Sequence, residues 1–110
     1  VPERRELTRA PARIEDDGVT VPELEELRRA IDEVDQQILD LVRRRVALVL
    51  EVGEVKRARQ MPVYDPERER RVLERLSEKA QPPLDATTVR RIFERLIDES
   101  RRLEQHHVSG

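Results

Sequence analysis

From residue 22 to about residue 60, apolar side chains recur in alternating steps of three and four: Leu24, Leu27, Ile31, Val34, Ile38, Leu41, then Leu48, Val52 and Val55. A heptad seam of this kind predicts one long helix carrying a stripe made to meet another helix. Thr20 is available as its cap, Pro22 suits its first turn, and Met61-Pro62 stops it. Asp65-Pro66 opens a second helix over roughly 66–80, with Val72, Leu73 and Leu76 on one face. Gln81-Pro82-Pro83 breaks that helix. Asp85 then caps a third, whose apolar face is Val89, Ile92, Phe93, Leu96, Ile97 and Leu103. The pattern predicts an all-α chain of three helices, one long and two shorter.

Length makes the first helix a problem for a monomer. About 39 residues give a rod on the order of 58 Å, whereas a compact domain of about 90 residues has a radius of gyration of only about 12 Å. Its own two shorter helices cannot cover it. The economical solution is the same helix from a second copy, giving an intertwined six-helix homodimer. An extended coiled coil without any site satisfies the same heptads and stays open at this point.

Each helix also carries polar groups on its apolar side. The seam demands an apolar residue at position 45, and the sequence supplies Arg45. Lys56 follows Arg45 by eleven residues, close to three full turns, so two cationic side chains converge along one face. Arg28 precedes Arg45 by seventeen residues and points about 100° away around the helix, so only a partner chain could bring it to the same pocket. Glu69 precedes Val72 and Leu73 by three and four residues, while Ser100 and Glu104 fall on or beside the stripe of helix 3. Taken singly these residues have ordinary readings: Arg45 snorkelling to the seam's edge, Glu69 on the surface, Ser100 as a small core residue. An unpaired buried charge costs several kcal/mol, so the same anomaly on three helices predicts one shared polar cavity.

Composition narrows the chemistry. Charged residues make up 42% of the chain, yet 22 basic against 24 acidic residues leave a formal net charge of −2, which argues against a nucleic-acid or anionic-membrane surface and makes any anion site local. With no cysteine, disulfides and thiolate metal sites are excluded, and His106 and His107 lack metal-ligand spacing. No run is long enough to span a bilayer. The expectation is a cytoplasmic protein with a flexible extension over residues 1–20, one domain over 21–106, and a frayed tail over 107–110.

The segments ELEELRRAIDEVDQQILDLVRRR, LVLEVGEVK, PVYDPERERRVLERL and IFERLIDESRRLEQ together resemble the all-helical (AroQ-type) chorismate mutases over about residues 22–106. The resemblance implies an intertwined homodimer with two active sites, each completed by one residue of the other protomer. It further implies the Claisen rearrangement of chorismate to prephenate, on the route to phenylalanine and tyrosine, without metal or cofactor. By the same resemblance, Arg45 and the partner subunit's Arg28 hold the substrate carboxylates, and Lys56 reaches the ether oxygen and a nearby carboxylate. Asp65 and Glu69 address the ring hydroxyl, Arg68 fixes the loop and second helix by ion pairing, and Ser100 supports the ring carboxylate. Arg45, Lys56, Glu69 and Glu104 are thus the implied catalytic set, with Arg28, Asp65, Arg68 and Ser100 binding substrate.

Position 104 varies within the family between glutamine and glutamate. An ionised carboxylate cannot donate a hydrogen bond to the ether oxygen, so Glu104 has to be protonated to act. Three rivals share the resemblance: an isochorismate-pyruvate lyase, a 4-amino-4-deoxychorismate mutase, and a helical regulatory module that docks on another shikimate-pathway enzyme. The D-x-x-RE segment and Glu104 favour the mutase over the lyase.

Overall fold

A computed structural model describes residues 21–109, and the expected N-terminal extension, Thr20 and Gly110 lie outside them. Three helices make up the fold: α1 (Pro22–Ala58), α2 (Pro66–Ser77) and α3 (Ala86–Ser109), with no strand among the described residues. None of these helices is long and apolar enough to cross a membrane.

Local signals set most of the boundaries. Gln60 adopts a left-handed backbone at φ 58°. The amides of Gln60 and Met61 then turn back onto the carbonyls of Arg57 and Lys56 at 3.1 and 2.8 Å. These crossed bonds close α1 at Ala58, two residues before the predicted end, by satisfying its last carbonyls. Asp65 caps α2 by accepting from the Arg68 amide at 3.1 Å, and Asp85 caps α3 by accepting from the Thr88 amide at 2.7 Å. That bond holds the Asp85 carboxyl below its ordinary value. α2 ends at Ser77, three residues short of the predicted 80.

The C-terminus corrects the sequence reading. Rather than fraying from 107, α3 stays helical to Ser109, because Val108 lies against Gly53 of α1 and His107 Nε2 sits 2.8 Å from Glu54 Oε2. Ile92, expected on the apolar face of α3, is instead exposed.

The chain divides within α1 into two compact units, one ending at Val42 and the other beginning at Arg43. In the first, no residue from Pro22 to Val42 is buried, and Ile31, Val34, Ile38 and Leu41 each keep half or more of their surface exposed. In the second, α2 packs on α3, and Val72, Val89 and Ile97 form the buried apolar core. Beside that core Ser100 and Glu104 are also buried.

Candidate active site

The cavity, about 160 Å³, is walled by the stretch of α1 from Arg45 to Lys56, by Val63 and Asp65 of the following loop, and by one face each of α2 and α3. Arg45, Lys56, Asp65, Arg68, Glu69, Ser100 and Glu104 all line it. Arg28 does not: it is exposed on α1, 3.9 Å from Glu25. Helical geometry accounts for the α1 wall, since residues 45, 49, 52 and 56 follow one another by three or four positions and share a face. Val49 and Val52 supply the apolar surface between the two cations.

Arg45 donates to Ser100 Oγ at 3.2 Å, and Ser100 in turn donates to the Leu96 carbonyl at 2.6 Å. Ser100 thereby presents its lone pairs to the guanidinium from a site only 2% exposed. No carboxylate pairs with Arg45 among the described residues. Burial, and secondarily the charge of Arg68, lowers the Arg45 pKa from its ordinary value. Two guanidinium groups facing one cavity without a shared counter-ion favour an incoming anion, which gains both charge and forked hydrogen bonds.

Lys56 donates to the Val63 carbonyl at 2.7 Å, tying the loop to α1, and its Nζ lies 3.5 Å from Glu104 Oε2. That separation gives charge attraction without a hydrogen bond, and Glu104 Oε2 is buried with no hydrogen-bond partner. An unsatisfied carboxylate oxygen at this depth is costly, and Glu104 lies in the cavity wall. Glu104 reaches the position because Gly53 leaves room. A Cβ at residue 53 would stand 2.9 Å from Glu104 Cγ and 3.1 Å from Val108 Cγ1. The glycine's cost inside a helix, about 1 kcal/mol relative to alanine, thus accompanies a close approach of α3 to α1.

On α2, Asp65 spends one carboxylate oxygen on the helix cap. Glu69 is held from α3 by Arg101, whose Nε donates to Oε2 at 2.9 Å and whose Nη2 stands 3.4 Å from Oε1. Arg101 also contacts Asp98 at 2.9 Å and lies over the Tyr64 ring, 4.8 Å from its centroid. The Glu69 hydrogen bond is the largest cause of a raised Arg101 pKa.

Sequence reasoning missed Arg101. Its neighbour Arg102 is exposed and pairs with Glu99, and the pair reads as one more solvated run. The available signal was spacing: residue 101 follows Ile97 by four and precedes Glu104 by three, on the cavity-facing stripe. Arg70 and Arg71, by contrast, are exposed as their pattern predicts, with Arg70 ion-paired to Glu67 and Glu74.

Four cations (Arg45, Lys56, Arg68, Arg101) and three carboxylates (Asp65, Glu69, Glu104) line the walls, a formal excess of one positive charge. Val49, Val52, Val72 and Ile97 provide apolar contact. Among the described residues no cluster could hold a metal ion. The arrangement suits a small anionic molecule with an apolar body, bound by charge at one side and by a carboxylate acceptor at the other.

Residues 27–105 match the family described as chorismate mutase type II. A chorismate mutase of Methanocaldococcus jannaschii is 32% identical over 89 residues, which cover 80% of this chain and 90% of that protein. A 4-amino-4-deoxychorismate mutase of Streptomyces pristinaespiralis is 32% identical over 88 residues, covering 79% of this chain and 68% of that one. The crystal structure of the Helicobacter pylori chorismate mutase in complex with prephenate superposes with a TM-score of 0.74 at 27% identity, over 81% of this chain and 97% of that one. Against bifunctional chorismate mutase/prephenate dehydratases the chain spans only a fraction of their length, 15% for the Aquifex aeolicus protein.

Proposed function

The chain belongs to the type II chorismate mutase family and rearranges chorismate to prephenate, and we propose that it does so in the cavity around Arg45, completed by the partner subunit's Arg28 in an intertwined homodimer. One observation carries the assignment of the site: a partly buried guanidinium on an apolar stripe, beside a second guanidinium and without a carboxylate of its own. Chorismate is a dianion. The cavity's single excess positive charge becomes two when one more arginine enters from the partner, matching the substrate's charge.

The reaction breaks the ether C–O bond and forms a C–C bond within one molecule, so no external acid, nucleophile or electron carrier is needed. Arg45, with Ser100 holding it, and the partner subunit's Arg28 fix the two carboxylates and fold the side chain over the ring, which lowers the barrier by orientation. Lys56 donates to the ether oxygen as negative charge grows there, stabilising the transition state more than the ground state, with Glu104 Oε2 3.5 Å from its Nζ. Glu69 and Asp65 take the ring hydroxyl, and Arg68 stands with them at the start of α2. A ~10⁶-fold acceleration asks about 8 kcal/mol of these effects together.

The dimer reading draws its support from α1. Ile31, Val34, Ile38, Leu41, Leu48, Val52 and Val55 follow the heptad and remain about half exposed or more, as a seam awaiting a second helix would. Association with another shikimate-pathway enzyme is supported by the relatives in which a mutase is joined to a prephenate dehydratase. A cytoplasmic setting suits the cysteine-free sequence.

The direct test is to incubate the purified chain with chorismate and identify the product, with Arg45→Ala alongside. Prephenate is expected from the wild type. The variant should lose on the order of 10³-fold in kcat/KM, as sites do when a charge-matching donor is removed. Comparable turnover by the variant would reject the site.

A further inference from the structure

We propose that Arg101 sets the substrate preference of this enzyme, positioning Glu69 and cancelling its charge so that the site takes a ring hydroxyl in preference to a ring ammonium. The inference rests on the reading that Glu69 faces the ring substituent of chorismate.

The three carboxylates of the cavity are committed differently. Asp65 caps α2, and Glu104 faces Lys56. Glu69 alone is gripped by a guanidinium that is itself fixed on other sides, by Asp98 at 2.9 Å and by the Tyr64 ring at 4.8 Å. Because Arg101 lies along both carboxylate oxygens, Glu69 can neither rotate freely nor present a whole negative charge. A neutral hydroxyl needs only an acceptor lone pair, which a paired carboxylate still offers. An ammonium gains chiefly from net charge, which the Arg101–Glu69 pair offers far less of than a lone carboxylate would. The side chains of Arg101 and Glu69 are only 28% and 23% exposed, so solvent screens the pair incompletely.

Arg101 therefore acts through Glu69 and not on the reacting atoms. Removing its charge while keeping an unbranched stem should turn Glu69 into an uncompensated anion, improving the fit of an amine relative to a hydroxyl. A purely structural role would depress both substrates alike.

The experiment measures kcat/KM of the full chain for chorismate and for 4-amino-4-deoxychorismate, near neutral pH where the amine is an ammonium. The wild type should favour chorismate. Arg101→Met should move the ratio of the two constants toward the amine by on the order of tenfold or more. Arg101→Lys, which keeps the charge, and Tyr64→Leu, which removes only the ring, should leave the ratio close to wild type. Circular dichroism follows folding, and Arg101→Gln carries the same test if the methionine variant does not fold. An equal loss for both substrates in Arg101→Met, or an equal shift in Tyr64→Leu, overturns the proposal. If Glu69→Gln changes neither constant, the placement of Glu69 against the ring falls and the proposal with it. A wild type inactive on both substrates rejects the assignment of the site itself.

Discussion

Residues 22–42 and 43–58 are one continuous helix, yet they solve opposite problems. The first stretch has an unbroken apolar seam that no described residue buries, and its predicted site residue, Arg28, is exposed, 3.9 Å from Glu25. The second has a seam interrupted by Arg45, and there the polar groups are the ones covered: Arg45 against Ser100, Lys56 against Val63 and Glu104. Hydrocarbon left in water implies a second helix to cover it. A cation drawn out of water without a carboxylate implies an anion to receive it. In the proposed dimer, one half of α1 meets another protein chain, and the other meets the ligand.

The sharpest way to break this contrast uses both halves at once. Arg28→Ala and Arg45→Ala should each lose several orders of magnitude in turnover. Unfolded together and refolded as a mixture, the two variants should regain about a quarter of the wild-type sites, because half the dimers are hybrids and each hybrid has one site with both arginines. No recovery would mean that the two arginines do not meet across an interface.

A smaller effect is expected at Glu104. Glu104→Ala, which removes the carboxyl beside Lys56, should lower kcat by about 10²-fold. An unchanged kcat would remove Glu104 from the transition state. The smallest effect concerns Gly53. Gly53→Ala places a methyl 2.9 Å from Glu104 Cγ, and the displaced carboxyl should lower kcat by about tenfold while KM changes little, as expected of a misplaced transition-state group. A change confined to thermal stability would make Gly53 a packing residue only.

Much of this was legible because helical periodicity is local. Arg45 and Lys56 are three turns apart whatever surrounds them, so their convergence on one cavity follows from the residue count. Asp65-Pro66 and Asp85 announced two helix starts through caps whose donors lie three residues on. Two features escaped because they depend on neighbours distant in sequence. Arg101 reads as half of a solvated Arg-Arg pair until Glu69, 32 residues earlier, comes within 2.9 Å. The end of α3 reads as a fraying tail until Gly53 and Glu54 supply a surface for Val108 and His107.

The sequence by itself determined three helices, most of the face each would turn inward, and the charged groups that would share a cavity except Arg101, since caps, breaks and the 3.6-residue period act within a few residues. Only the tertiary structure decided how those charges are matched. Which carboxylate each cation meets, and which oxygen is left with none, depends on ångström-scale approach between helices, where hydrogen bonding and charge pairing change steeply with distance.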